Sequence, residues 1–187
     1  MKKELQNFYS FLSDNLKCGD GKYYIIEEIN NKSYIKKVSI EKNGSFFVLK
    51  QKDQFKAELF KNAIPSCDFI VVSDDKVYFV ELKSTSGDKK DDDNKTPNDE
   101  TPRDKALKQC ENSQLLFDYL YSAYNLQKSA NLNFENKQFI YLYPKRAISE
   151  KSPTNMDTKN SSLIPKEVEC DNNGCIELDL DFFKKIG

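Results

Sequence analysis

Between Ser66 and Ser84 the chain reads SCDFIVVSDDKVYFVELKS, an apolar stretch with Asp68 at one end and Glu81 and Lys83 at the other. Asp74-Asp75 is its natural two-residue loop. Folding there sets Val72 against Val77 and Ile70 against Phe79, and the same register sets Asp68 against Glu81. Side chains alternate along a strand, so Lys83 shares the face of Glu81. Directly opposed residues hold their β-carbons roughly 4.5–5.5 Å apart. Two carboxylates and one ammonium therefore converge at one end of a hairpin, provided the loop has two residues rather than three. Ile70, Val72, Val77 and Phe79 occupy one face, and Phe69, Val71, Tyr78, Val80 and Leu82 the other. A ribbon apolar on both sides belongs inside a sheet covered by helices. Opposed carboxylates there repel, and desolvation penalises both charges. Lys83 offsets part of that cost. A divalent cation offsets it better, and carboxylate oxygens suit hard ions such as Mg²⁺ or Mn²⁺. The plain structural alternative is a strand-end ion pair of little energetic weight.

The elements that must hold these residues are legible in outline. MKKELQNFYSFLSDNL (1–16) begins with lysines, but polar residues interrupt it, so it lacks the apolar core of a signal peptide. It reads as an amphipathic helix with Leu5, Phe8, Leu12 and Leu16 on one face. Residues 22–29, 33–40 and 45–50 read as three strands joined by turns at Asn30-Asn31 and Asn43-Gly44, an N-terminal β-meander. Residues 52–64 have helical spacing and stop at Pro65. After the hairpin, 84–104 contains no apolar residue at all and reads as a flexible loop, a spacer or a lid. Residues 105–127 form the clearest helix, with Ala106, Cys110, Ser113, Phe117, Leu120, Tyr121 and Tyr124 as its buried stripe. Residues 137–144 read as a strand closed by Pro144, 145–167 as loop, 175–180 as a short strand and 181–186 as a last helical turn.

The 187 residues suit one domain with its own core. The expected class is α/β, with a central mixed β-sheet flanked by helices. No run of about 18 apolar residues predicts a membrane span. The chain has no histidine, which excludes a Ser-His-Asp triad, a Cys-His pair and histidine acid/base chemistry. Five unpatterned cysteines form no disulfide framework and no zinc motif, and point to a reducing, cytoplasmic setting. Twenty-nine basic residues balance thirty acidic ones, so no global basic field advertises nucleic acid.

On Asp68, Glu81, Leu82 and Lys83 the sequence resembles the PD-(D/E)xK, or restriction-endonuclease-like, nuclease superfamily. The order of elements over 52–144, helix, hairpin with motif, helix and strand, is similar as well. Cys67 stands where the family name has proline. The resemblance implies a restriction-endonuclease-like core and metal-dependent hydrolysis of phosphodiester bonds, DNA before RNA. It implies Mg²⁺ or Mn²⁺ held by Asp68, Glu81 and the Leu82 carbonyl, with Glu58 as a further ligand, direct, through water or to a second ion. Lys83 would orient or deprotonate the attacking water. Gln109, with Gln114 as rival, would position Lys83, water or the scissile phosphate, and Lys105 would contact phosphate. Tyr119 resembles the Gln-plus-Tyr helix of RecB-like branches loosely. A homodimer or a larger defence or repair complex fits the same family. The alternative is a nuclease fold that binds nucleic acid or protein without turnover. A second Glu-x-Lys, Glu135-Asn136-Lys137, has no facing aspartate and sits in an Asn-rich connection.

Overall fold

The computed structural model describes residues 1–19, 21–27, 33–50, 64–83, 101–145 and 162–186. Its elements are α1 (Lys3–Phe11), β1 (Tyr23–Glu27), β2 (Lys37–Glu41), β3 (Phe46–Lys50), β4 (Phe69–Ser73), β5 (Lys76–Leu82), α2 (Pro102–Lys128), β6 (Asn136–Pro144), β7 (Leu163–Val168), β8 (Cys175–Leu178) and α3 (Leu180–Lys184). The strands form two mixed sheets, a five-stranded one in the order β3-β4-β5-β6-β7 and a three-stranded one in the order β1-β2-β8. In the larger sheet β3, β4 and β5 are antiparallel, and β5, β6 and β7 run parallel. Parallel neighbours need a crossover, and α2 supplies the one between β5 and β6.

The expected N-terminal meander is corrected. β1 and β2 pair with each other and with β8, whereas β3 pairs with β4 in the other sheet. Burial explains the split. Phe46, Phe47, Val48 and Leu49 are buried on both faces, so β3 fits the large sheet, whose two faces are covered, and forms its edge beside β4, while β1 and β2 alternate buried with exposed. Asn43-Gly44 thus turns the chain from one sheet to the other rather than closing a hairpin. Gly44 has φ +76°, and Asn43 Oδ1 accepts from the Ser45 amide at 3.0 Å.

Three other boundaries differ. Within the expected loop 145–167, β7 pairs with β6. It was hidden because Pro165 interrupts a six-residue strand, which is tolerated since β7 is a sheet edge. α2 starts at Pro102, three residues before the expected 105, because Thr101 and Asp104 form a reciprocal capping box with proline at the first helical position. β2 occupies 37–41 rather than 33–40. The expected helix 52–64 with Glu58, the Asn30-Asn31 turn and most of the 84–104 loop lie outside the described residues.

The two faces of the large sheet are covered differently. Phe79 of β5 packs edge-on against Phe117 of α2 at 6.0 Å, and Phe117 meets Phe8 of α1 at 6.0 Å and Phe134 at 5.1 Å. On the opposite face, Tyr78 meets Phe183 of α3 at 5.5 Å, and Phe46 meets Tyr24 of the small sheet at 5.5 Å. β4 and β5 lie between these layers, and every position from Val77 to Leu82 is buried. Among the described residues no helix is long and apolar enough to cross a membrane.

Candidate functional site

The register expected for the hairpin holds from the turn to its last regular pair: Val72–Val77, Val71–Tyr78, Ile70–Phe79 and Phe69–Val80. It then slips. The Asp68 amide donates to the Val80 carbonyl at 3.0 Å, one residue short of the partner that strict pairing gives. Asp68 is therefore not set squarely opposite Glu81. Its carboxylate reaches further along β5, and Oδ2 accepts from the Leu82 amide at 2.6 Å. The N–H and C=O of one strand residue leave by the same edge, so the Leu82 carbonyl also faces the Asp68 side. The Lys83 amide leaves by the other edge and donates to Leu142 O at 2.9 Å, extending the parallel pairing one step past β5.

Glu81 follows Phe79 by two residues and so lies under α2. It is only 2 % exposed, the one buried acidic residue among those described. Lys83 Nζ pairs with Glu81 Oε1. Among the described residues Glu81 Oε2 is buried without a hydrogen-bond donor. Burial pushes the Glu81 carboxyl up to about 7, and the Lys83 charge pulls it down without cancelling the effect. The neighbouring Asp68 carboxyl also pulls it down slightly. A buried carboxyl held near neutrality beside a second one and a cation, at the carboxyl ends of β5 and β6, is a pattern typical of functional sites.

α2 closes the site from above. Gln109 uses both ends of its amide: Oε1 accepts from Lys83 Nζ at 3.3 Å and Nε2 donates to Ser66 O at 3.1 Å. Of its three expected roles, holding Lys83 is the one this geometry displays. The rival Gln114 donates to Asp118 Oδ2 at 3.5 Å, one turn further on and apart from these contacts. Tyr119 is 70 % exposed. Lys105 is exposed in the first turn of α2, one turn before Gln109. Glu58 lies outside the described residues.

Asn112 escaped the sequence reading, and Ser113 entered it only as part of the buried stripe, with no role at the site. Ser113 Oγ accepts from the Cys67 amide at 2.8 Å and donates to Gln109 O at 2.9 Å, and Asn112 Nδ2 donates to Pro65 O at 3.0 Å. A signal existed, since Gln109, Asn112 and Ser113 at i, i+3 and i+4 put three polar residues on one face of an otherwise apolar stripe. The second Glu-x-Lys separates cleanly. Lys137 is paired with Val77 at the far end of the sheet and forms an ion pair with Asp118 at 2.6 Å.

The donor chemistry fits a hard divalent ion. Asp68, Glu81 and the Leu82 carbonyl offer oxygen only, and Glu81 Oε2 is an orphaned buried oxygen. Among the described residues no three histidine, cysteine, aspartate or glutamate side chains gather, and Asp68 and Glu81 are the two candidate side-chain ligands of this site. Comparison with family models, with curated proteins and with solved structures found no match, so these contacts carry the functional argument.

Proposed function

We propose that the chain is a metal-dependent phosphodiesterase acting on nucleic acid, with a restriction-endonuclease-like core and DNA the preferred substrate. The observation that carries this reading is Glu81: buried, with one oxygen on Lys83, the other without a donor, and Asp68 beside it. A protein places such a group inside a sheet at a stability cost, which is reasonable only where the group has work to do. The arrangement supports the family resemblance in a second way. β3, β4 and β5 form an antiparallel meander, followed by α2 and a parallel strand β6, which is the order that core requires.

Asp68, Glu81 and the Leu82 carbonyl would hold Mg²⁺ or Mn²⁺. Such an ion, when bound, polarises the phosphoryl oxygen, acidifies water and stabilises the leaving oxygen. Lys83 stays beside this centre because Gln109 and Glu81 hold it there. From that place its ammonium offsets phosphate charge and orients the attacking water. Gln109 itself is fixed by Ser66 O, so its carbonyl oxygen keeps pointing at Lys83.

The test is cleavage of plasmid, linear and single-stranded substrates in Mg²⁺ and in Mn²⁺ by wild type, Asp68→Asn and Lys83→Ala. Cleavage by wild type alone is expected, and equal rates in all three proteins would sink the assignment. One observation favours a second reading, a nuclease fold that binds without turnover: only two carboxylates converge among the described residues. That reading predicts tight nucleic-acid or protein binding with no cleavage in either metal.

A further inference from the structure

We infer that Ser113 and Asn112 are positioning residues for Asp68, setting the metal-facing carboxylate through the chain segment before it. The inference rests on the metal reading above and deepens it. Asp68 stands one residue outside the regular ladder, so strand pairing alone does not aim it. Pro65, three residues earlier, has no amide proton to give to a ladder. α2 takes over that task. Pro65 O, Ser66 O and Cys67 N are bonded in turn to Asn112, Gln109 and Ser113.

The bond to Cys67 admits one arrangement. Ser113 is 1 % exposed, and its single hydroxyl proton goes to Gln109 O. Only its lone pairs remain for Cys67, whose amide is the donor there. The helix that carries this face is itself tied to the sheet by Phe117 on Phe79. α2 thus acts as a ruler, with one end of the measurement in the core and the other at residue 67. No bond joins Ser113 or Asn112 to Glu81 or to Lys83 among those described; Ser113 meets Gln109, which holds Lys83, only at its backbone carbonyl, so the Leu82 amide reports the route through Asp68 separately. Partners of metal ligands typically contribute 10–100-fold to metal affinity or activity.

The experiment uses the full chain, metal-free, with Mn²⁺ alone as probe, and compares Ser113→Ala with Ser73→Ala. Ser73 is an equally buried hydroxyl, bonded to Asp75 and Lys76 at the turn end of the same hairpin. Two quantities are read: Mn²⁺ affinity by loss of the free-ion EPR signal, and hydrogen exchange of the Leu82 amide, the donor to Asp68. Ser113→Ala is expected to weaken Mn²⁺ binding about tenfold and to speed Leu82 exchange relative to the rest of β5, and Ser73→Ala to do neither. Asn112→Asp, which replaces the donor to Pro65 O by an acceptor at constant shape, is expected to act in the same direction, and it serves if Ser113→Ala does not fold. Equal responses in the Ser113 and Ser73 variants overturn the inference. If wild type binds no Mn²⁺ but Leu82 exchange still responds only to the Ser113 and Asn112 variants, the positioning stands and the metal reading falls. If wild type binds Mn²⁺ and these variants match it in both quantities, the positioning falls alone.

Discussion

Glu81→Gln should stabilise the protein at alkaline pH while abolishing the proposed metal-dependent cleavage, and the size of the stability effect follows from the site. The Glu81 carboxyl is pushed from its ordinary 4.5 up to about 7, chiefly by burial. A carboxyl with a raised folded-state value binds its proton more tightly in the native chain than in the unfolded one. Stability is therefore lost as pH rises from about 4.5 to about 7, and the loss is constant above that. At about 1.36 kcal/mol per pH unit, ionised Glu81 costs the folded chain about 3 kcal/mol at pH 8. Glutamine is a close mimic of the protonated acid. It keeps a carbonyl oxygen for Lys83, which also retains Gln109 Oε1 and a side chain 26 % open to water. The variant should exceed wild type by about 1 kcal/mol at pH 5 and by about 3 kcal/mol at pH 8, which for a chain of this size is a melting-temperature gap of about 6–12 °C at pH 8. Thermal melts of both proteins at pH 5, 6, 7 and 8 measure it, and other titrating groups cancel in the difference. A gap that stays flat with pH, or an advantage that shrinks towards pH 8, refutes the reasoning.

Three further outcomes are expected. Lys83→Ala removes the one cation bonded to Glu81 among the described contacts, so it should destabilise more at pH 8 than at pH 5, by about 1–2 kcal/mol after allowing for the partial exposure of the pair, as urea titrations would show. Adding Mn²⁺ should raise the melting temperature of wild type more at pH 8 than at pH 5.5, because the ion needs both carboxylates deprotonated, and it should leave Glu81→Gln unmoved. Phe117→Ala removes the ring that joins Phe8, Phe79 and Phe134, and should cost about 3–5 kcal/mol at every pH, so a pH-dependent loss there would contradict the assignment of that region to packing alone.

The parts of this fold that could be read in the chain are those in which local chemistry decides. Asp74-Asp75 defines a turn, alternation then defines the pairs, and four residues of register follow from two residues of loop. The stripe of α2 emerged for the same reason, since Ala106, Cys110, Ser113, Phe117 and Tyr124 recur at helical spacing and are buried together. What stayed hidden depends on contacts between distant segments. Whether β3 completes a meander with β2 or joins the large sheet as the edge strand beside β4 is decided by which apolar faces remain to be covered, not by the Asn43-Gly44 turn that both arrangements share. β7 pairs with β6 despite Pro165, which weakened its pattern. At the site itself, the register argument brought Asp68 and Glu81 to the same end of the hairpin but missed the one-residue slip that sends Asp68 Oδ2 to the Leu82 amide. Such a slip is set by the α2 side chains that grip residues 65–67, and pairing rules within the hairpin carry no information about them.

The two Glu-x-Lys segments show what converts a common spacing into chemistry. Both include residues of neighbouring parallel strands, and both lysines form ion pairs. Lys137 pairs with Asp118, which is 31 % exposed, at the amino end of β6. Water reaches that carboxylate, so the pair contributes little and holds no charge in tension. Lys83 pairs with Glu81 at 2 % exposure, at the carboxyl end of β5, where a single cation leaves one oxygen orphaned and the carboxyl near neutrality. The deciding variable is desolvation, supplied here by Phe79, Phe117 and the face of α2 above them. A second cation that met Glu81 Oε2, with Asp68 beside it, would offset the desolvation that the packing of the core imposes on this carboxylate.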